Sequence, residues 1–150
     1  MSTRIQVQAD DFDAGAEIAA LSKGSGRVGA VASFVGVVRG SEGVTAMTLE
    51  HYPGMTEREI ARHVAEAQAR WPLIGVTVIH RIGTLGVGDN IVFVAAASAH
   101  REAAFAATEF LVDYLKTRAP FWKLEERSGS ADWVAARAED DEAVKRWGRG

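Results

Sequence analysis

The chain predicts an α+β fold, a mainly antiparallel sheet with packed helices, and three observations carry that expectation. Strand-like segments come in consecutive pairs, residues 28–39 with 44–50 and residues 76–82 with 91–97, instead of alternating singly with helices as a doubly wound sheet requires. The connections inside each pair are short and glycine-rich, which suits antiparallel neighbours, whereas parallel ones need a long crossover. Apolar residues recur at helical spacing in two longer stretches, residues 56–70 and 99–118, that separate the pairs from one another and from the C-terminal third.

Taken in order, residues 4–9 alternate weakly as a first strand, and Asp11 and Asp13 can cap a short helix running through Leu21. Gly24, Gly26 and Gly29 satisfy the spacing G-x-G-x-x-G, but that pattern holds phosphates only where it opens a helix. Here a strand follows, so the glycines read as a connector. Residues 28–39 are small, apolar and β-branched, a buried strand ending in the turn Arg39-Gly40-Ser41-Glu42-Gly43, and residues 44–50 pair back against it. After the turn Tyr52-Pro53-Gly54, Thr56 and Glu59 match a capping box for a helix through Arg70 whose buried stripe is Ile60, Val64 and Ala67.

Trp71-Pro72 stops that helix, residues 76–82 alternate as a strand, residues 83–90 form a loop, and residues 91–97 return as the antiparallel partner. Ser98 can cap a long helix over residues 99–118 that buries Ala104, Ala107, Leu111 and Tyr114 or Leu115. Pro120 ends it, and residues 121–127 leave the turn as a strand. Ser128-Gly129-Ser130 turns the chain toward a strand at residues 132–136, and residues 139–147 read as a fraying helix behind the solvated acids Glu139 to Glu142.

With 150 residues and 47% hydrophobic content, residues 1–150 are expected to form one domain with a proper core. A net charge of −3 argues against a protein that coats nucleic acid, so any basic patch must be local. Charged residues at 25%, and no apolar run near the roughly 20 residues that span a bilayer, predict a soluble, cytoplasmic protein with no membrane partner. The N-terminal residues lack the apolar core of a signal peptide. The cysteine count is zero, which removes disulfides, thiolate zinc sites, a cysteine nucleophile and any persulfide carried on this chain. His63 and Glu66 share a helix without a His-Glu-x-x-His pattern, so neither a metal nor another cofactor is expected.

What remains is a set of cations at element ends. Lys116 and Arg118 fall in the last turn of the long helix and Lys123 follows across the Pro120 reversal, with Tyr114, Phe121 and Trp122 positioned to wall the spot. Cations in a final turn complement the helix dipole and commonly do nothing more. His100 and Arg101 are less ordinary, because a helix start carries partial positive charge and favours acids; the placement makes sense where an anion is held. Arg39 stands at a strand end beside a glycine turn, while His51 and His80 read as structural histidines. Together Arg39, His100, Arg101, Lys116 and Lys123 suggest one focused anion pocket.

These positions sit inside Phe34-Val-Gly-Val-Val-Arg39, Leu49-Glu-His-Tyr-Pro-Gly-Met55, Val78-Ile-His-Arg-Ile-Gly83, Ser98-Ala-His-Arg101 and Tyr114-Leu-Lys-Thr-Arg-Ala-Pro-Phe-Trp-Lys123. By these five segments, in this order, the chain resembles the large, catalytic subunits of molybdopterin synthase from about Gly29 to Trp147. The resemblance implies an α/β-hammerhead-like fold and a homodimer that binds a small ubiquitin-like sulfur-carrier subunit on each protomer, a heterotetramer. The implied reaction is sulfur insertion. A thiocarboxylate at the carrier's C-terminal glycine delivers two sulfurs to cyclic pyranopterin monophosphate, opening its cyclic phosphate and giving the molybdopterin dithiolene. The missing cysteines fit, since sulfur arrives on a partner.

Carried over by position, Lys116 and Lys123 match the family's active-site lysines, and Arg39, His100 and Arg101 match its substrate contacts. Val37, Val38, Leu124 and Glu125 match neighbouring pocket positions; at Val37 some members carry lysine, so this chain departs from them there. Arg137 matches a segment that reaches the pocket from the dimer partner. The implied division of labour has Arg39, His100 and Arg101 holding the substrate phosphate, and Lys116, assisted by Lys123, opposing charge at the reacting centre. A different class of function fits the same cations: a noncatalytic adaptor gripping an acidic partner tail.

Overall fold

The computed structural model describes residues 2–23, 25–127, 130–134 and 143–148. Its elements are β1 (Ser2–Gln8), α1 (Ala14–Lys23), β2 (Ala30–Val37), β3 (Val44–His51), α2 (Met55–Arg70), β4 (Leu73–Arg81), β5 (Gly83–Gly86), β6 (Asn90–Ser98), α3 (Arg101–Thr117), β7 (Phe121–Arg127) and β8 (Ser130–Val134). The strands form two four-stranded sheets, ordered β1-β4-β6-β2 and β5-β3-β7-β8. Every pairing is antiparallel except β1 with β4, so the class is the α+β, mainly antiparallel one that the sequence predicts.

The central strands β4 and β6 are apolar on both faces because both faces are covered. Val76, Val78, Val92, Val94 and Ala96 meet α2 and α3 through Ile60, Val64, Ala107, Phe110 and Leu111. Their alternates Ile79, Phe93, Ala95 and Ala97 meet Leu21 and Ile18 of α1. Asp13 caps α1, its Oδ1 accepting from the Ala16 N–H at 3.0 Å, while Asp11 instead accepts from Asn90 and Phe12. The described part of the tail is docked, not frayed: Val144 is buried, and the Trp147 indole N–H donates to Asp113 at 2.6 Å.

Three local expectations are corrected. Residues 28–39 and 44–50 do not pair: β2 joins β6, and β3 joins β5 and β7. The turn between them contains a 3₁₀ segment with Glu42 in the left-handed region (φ 59°), which sends the chain from one sheet to the other. Residues 83–90 are not all loop, because their first four residues form β5 on the edge of β3; Gly83, at φ 90°, allows that departure from β4. The caps also shift. α2 starts at Met55 with Glu57, not Glu59, accepting from the Gly54 N–H, and Ser98 donates to the Pro72 carbonyl, leaving His100 at the N-cap of α3.

The glycine connector ends in a close approach instead of a phosphate loop. The Gly29 N–H donates to Ser98, and a Cβ added at Gly29 would lie 2.2 Å from the Ala99 carbonyl oxygen. That neighbour is backbone and cannot swing aside. Gly29→Ala is therefore expected to destabilise the fold by about 1–3 kcal/mol, read as a lower urea midpoint with unchanged slope.

Candidate active site

At one end of the first sheet β2 and β4 finish, β6 begins and α3 terminates, and β7 starts across the gap. A cavity of about 620 Å³ opens there, lined by Arg39, His80, Lys116, Phe121, Lys123 and Glu125 among others. The α3–β7 turn that separates the two lysines is tied down. Arg118 and Ala119 donate to the Tyr114 carbonyl, and the buried Thr56 hydroxyl donates to Pro120 at 3.0 Å while accepting from the Tyr52 N–H at 3.1 Å. Thr56, expected to cap its own helix, thus braces the reversal that positions Lys116 and Lys123.

Strand alternation sorts the β7 candidates. Phe121, Lys123 and Glu125 share the cavity face. Trp122 turns away to meet Tyr52 edge-on, with ring centroids 4.1 Å apart, and Leu124 does not line the cavity. Tyr114 is not a wall either, because two helical residues rotate it far round from Lys116; it stacks on the buried His63 at 4.4 Å. Only Phe121 of the three expected aromatics serves the site. Glu125 lies 3.3 Å from the Arg127 guanidinium. On the opposite wall Val37 lines the cavity, whereas Val38 is buried with its N–H bonded to Asp89 and its carbonyl to Gly88.

His80 was legible only as a structural residue, yet it lines this cavity while 5% exposed. Its ring lies on Phe121 with centroids 3.8 Å apart and 19° between planes, and Nδ1 is 2.8 Å from the Arg81 carbonyl oxygen. Burial pulls its pKa from 6.5 to about 4; the Arg81 carbonyl opposes that fall, and Lys123, Lys116 and His51 add to it. His63, buried with neither ring nitrogen hydrogen-bonded, is lowered in the same direction, first by burial.

Stability follows in sign. Unfolded imidazole binds a proton near pH 6.5 that folded His80 releases until about pH 4, so the unfolded chain holds more protons across that window and stability rises with pH through it. Acidification from pH 7 to 4 should remove on the order of 3 kcal/mol through this residue. The carboxyls of Asp11 and Glu59, both lowered mainly by side-chain hydrogen bonds, act at more acid pH. Urea unfolding of wild type and His80→Gln checks this: the variant should show a shallower loss between pH 7 and 4.5.

One chain does not bring all the expected cations together. Arg39, Lys116 and Lys123 share the cavity, but His100 and Arg101 lie at the far end of α3, roughly 22 Å along the helix axis from Lys116. There His100 lines a second, open cavity with Arg27 and Trp71. Its backbone is extended (φ −130°, ψ 151°), and no side chain caps the helix. Arg137 lies outside the described residues.

The family model described as MoaE protein matches residues 7–118. The chain is 55% identical to the molybdopterin synthase catalytic subunit of Mesorhizobium japonicum, covering 98% of this chain and 94% of that one. It is 56% identical to the catalytic subunit of Ralstonia nicotianae, covering 96% and 84%. The solved MoaE protein of Burkholderia ambifaria superposes with a TM-score of 0.85 at 52% identity over 99% of both chains. With a family model across most of its length and relatives above half identity end to end, the chain belongs to the MoaE family, the catalytic subunits of molybdopterin synthase.

Proposed function

We propose that this chain accepts a small ubiquitin-like carrier bearing a C-terminal thiocarboxylate and directs its sulfur, in two rounds, into cyclic pyranopterin monophosphate to form the molybdopterin dithiolene. The observation that carries the reading is the convergence of Arg39, Lys116 and Lys123 on one cavity in a chain with no cysteine. Sulfur must come from a partner, and the chain positions and polarises. As the thiocarboxylate sulfur attacks the pterin side chain, the C–O bond to phosphate breaks and negative charge grows on the departing phosphate oxygen. Water then adds to the resulting acyl thioester, charge grows on the carrier's carbonyl oxygen, and the acyl C–S bond breaks to leave sulfur on the pterin and a carboxylate on the carrier. Lys116 opposes both as an ammonium already in place, with Lys123 assisting and Arg39 holding phosphate. Val37 and Glu125 line the same cavity and complete its walls; Val38 is buried next to Val37 in sequence, and Leu124 stands between Lys123 and Glu125 on β7.

His100 and Arg101 enter this scheme across a homodimer, because no bending of α3 carries its first residue to its last. A twofold arrangement that sets the start of one protomer's α3 beside the other's cavity supplies both phosphate ligands in trans, and each protomer docks one carrier. The chain acts as one domain over residues 1–150, in the cytoplasm; among the described residues no helix is long and apolar enough to cross a membrane. Reconstitution tests the reading. Purified chain, thiocarboxylated carrier and pterin precursor should yield a dithiolene, detected after oxidation to its fluorescent derivative, and a mixture in which the chain only binds the carrier tail would favour an adaptor.

A further inference from the structure

His80 stands in a cavity of cations yet is built to be neutral. A carbonyl oxygen can only accept, so the 2.8 Å contact to Arg81 places the imidazole proton on Nδ1 and leaves Nε2 as a lone-pair acceptor. Among the described residues this is the ring's one hydrogen bond. Phe121, flat against the ring, fixes its plane. Lys123 follows Phe121 by two residues on the same face of β7 and lines the same cavity. Of the charges around His80, Lys123 acts on it most strongly, ahead of Lys116 on α3 and His51 on β3. Glu125, the cavity's other β7 group, is engaged by Arg127.

We propose that His80 is a positioning residue for Lys123: its Nε2 accepts a hydrogen bond from the Lys123 ammonium during sulfur transfer and aims that charge at the reacting centre. The inference rests on the sulfur-transfer reading of the cavity. A carboxylate in the same place would neutralise the lysine and repel the substrate phosphate, and an imidazolium would push the lysine away. A neutral acceptor orients the ammonium without changing the cavity's charge. Burial and the neighbouring lysines hold His80 in that neutral form at physiological pH.

The test uses the reconstituted synthase with thiocarboxylated carrier. His80→Phe keeps a flat ring against Phe121 but has no acceptor, and His80→Gln keeps an acceptor without the ring. The phenylalanine variant should lower the single-turnover rate constant about 10- to 100-fold with KM for the pterin precursor little changed, and the glutamine variant should recover most of the loss. In the double variant with Lys123→Ala, His80→Phe should add almost nothing to the loss caused by Lys123→Ala alone. A wild-type rate in His80→Phe, multiplicative losses in the double variant, or a folded glutamine variant no better than phenylalanine would each overturn the proposal.

Nitrogen NMR of the imidazole reads the same contact without turnover. Nδ1 should appear protonated and Nε2 unprotonated, with the Nε2 resonance moving when Lys123 becomes alanine. An Nε2 signal indifferent to that change overturns the proposal even if His80→Phe fails to fold. If wild type makes no dithiolene, the sulfur-transfer reading fails and this resonance still decides whether the two side chains are coupled.

Discussion

Exchanging Lys116 for alanine is expected to slow single-turnover sulfur transfer by about 100- to 1000-fold while leaving the melting temperature within a few degrees of wild type. The two effects separate because of where the residue sits. Lys116 is exposed in the last turn of α3, so its removal strands no buried charge, and the lost dipole interaction is worth about 0.3–1 kcal/mol. In the proposed sulfur transfer the same side chain, which lines the cavity, faces charge that exists only as bonds change. Loss of such a preorganised donor is felt in kcat and in kcat/KM alike, without a compensating change in KM. Lys123 and Arg39 remain in Lys116→Ala and account for the residual rate. Rapid-quench sampling of dithiolene from preloaded carrier makes the measurement; transfer at the wild-type rate would remove Lys116 from the chemistry.

The elements were largely legible because their signals are local. The apolar stripe of Ile60, Val64 and Ala67 marks α2, the alternation around Val78 marks β4, and Pro120 marks the reversal that sets Lys116 opposite Lys123. The five family segments brought the candidate cations with them. What local pattern does not encode is which strands meet. Residues 28–39 and 44–50 have the length and turn of a hairpin, and only the match of β2 to β6 and of β3 to β7 divides them between two sheets. The misplaced Tyr114 and Trp122 follow from periodicity applied too loosely, since adjacency in sequence to a lysine puts a residue on another face of a helix or strand.

His80 was hidden for a related reason. Its apolar neighbours in β4 argue for a core residue, and it is one; only the packing of Phe121 from the second sheet makes the same buried ring part of a cavity. The dipole argument singles out His100 and Arg101, which stand at the start of α3, at the far end of that helix from Lys116. Their distance from Lys116 is fixed by the length of α3, and this rigid spacing turns a list of cations into a claim about two protomers.

That claim has a direct measurement. Lys116→Ala and Arg101→Ala chains, each carrying a different affinity tag, are co-expressed, and the mixed dimer is isolated through both tags. Each parent homodimer has two defective pockets. If His100 and Arg101 serve the opposite protomer's cavity, the mixed dimer contains one pocket with both defects and one with none, so its dithiolene formation should return to about half the wild-type rate. Were the mixed dimer's rate to lie between those of its parents, near their mean, each pocket would carry a single defect, the cations would belong to one chain or to no common site, and the two-protomer pocket would be contradicted.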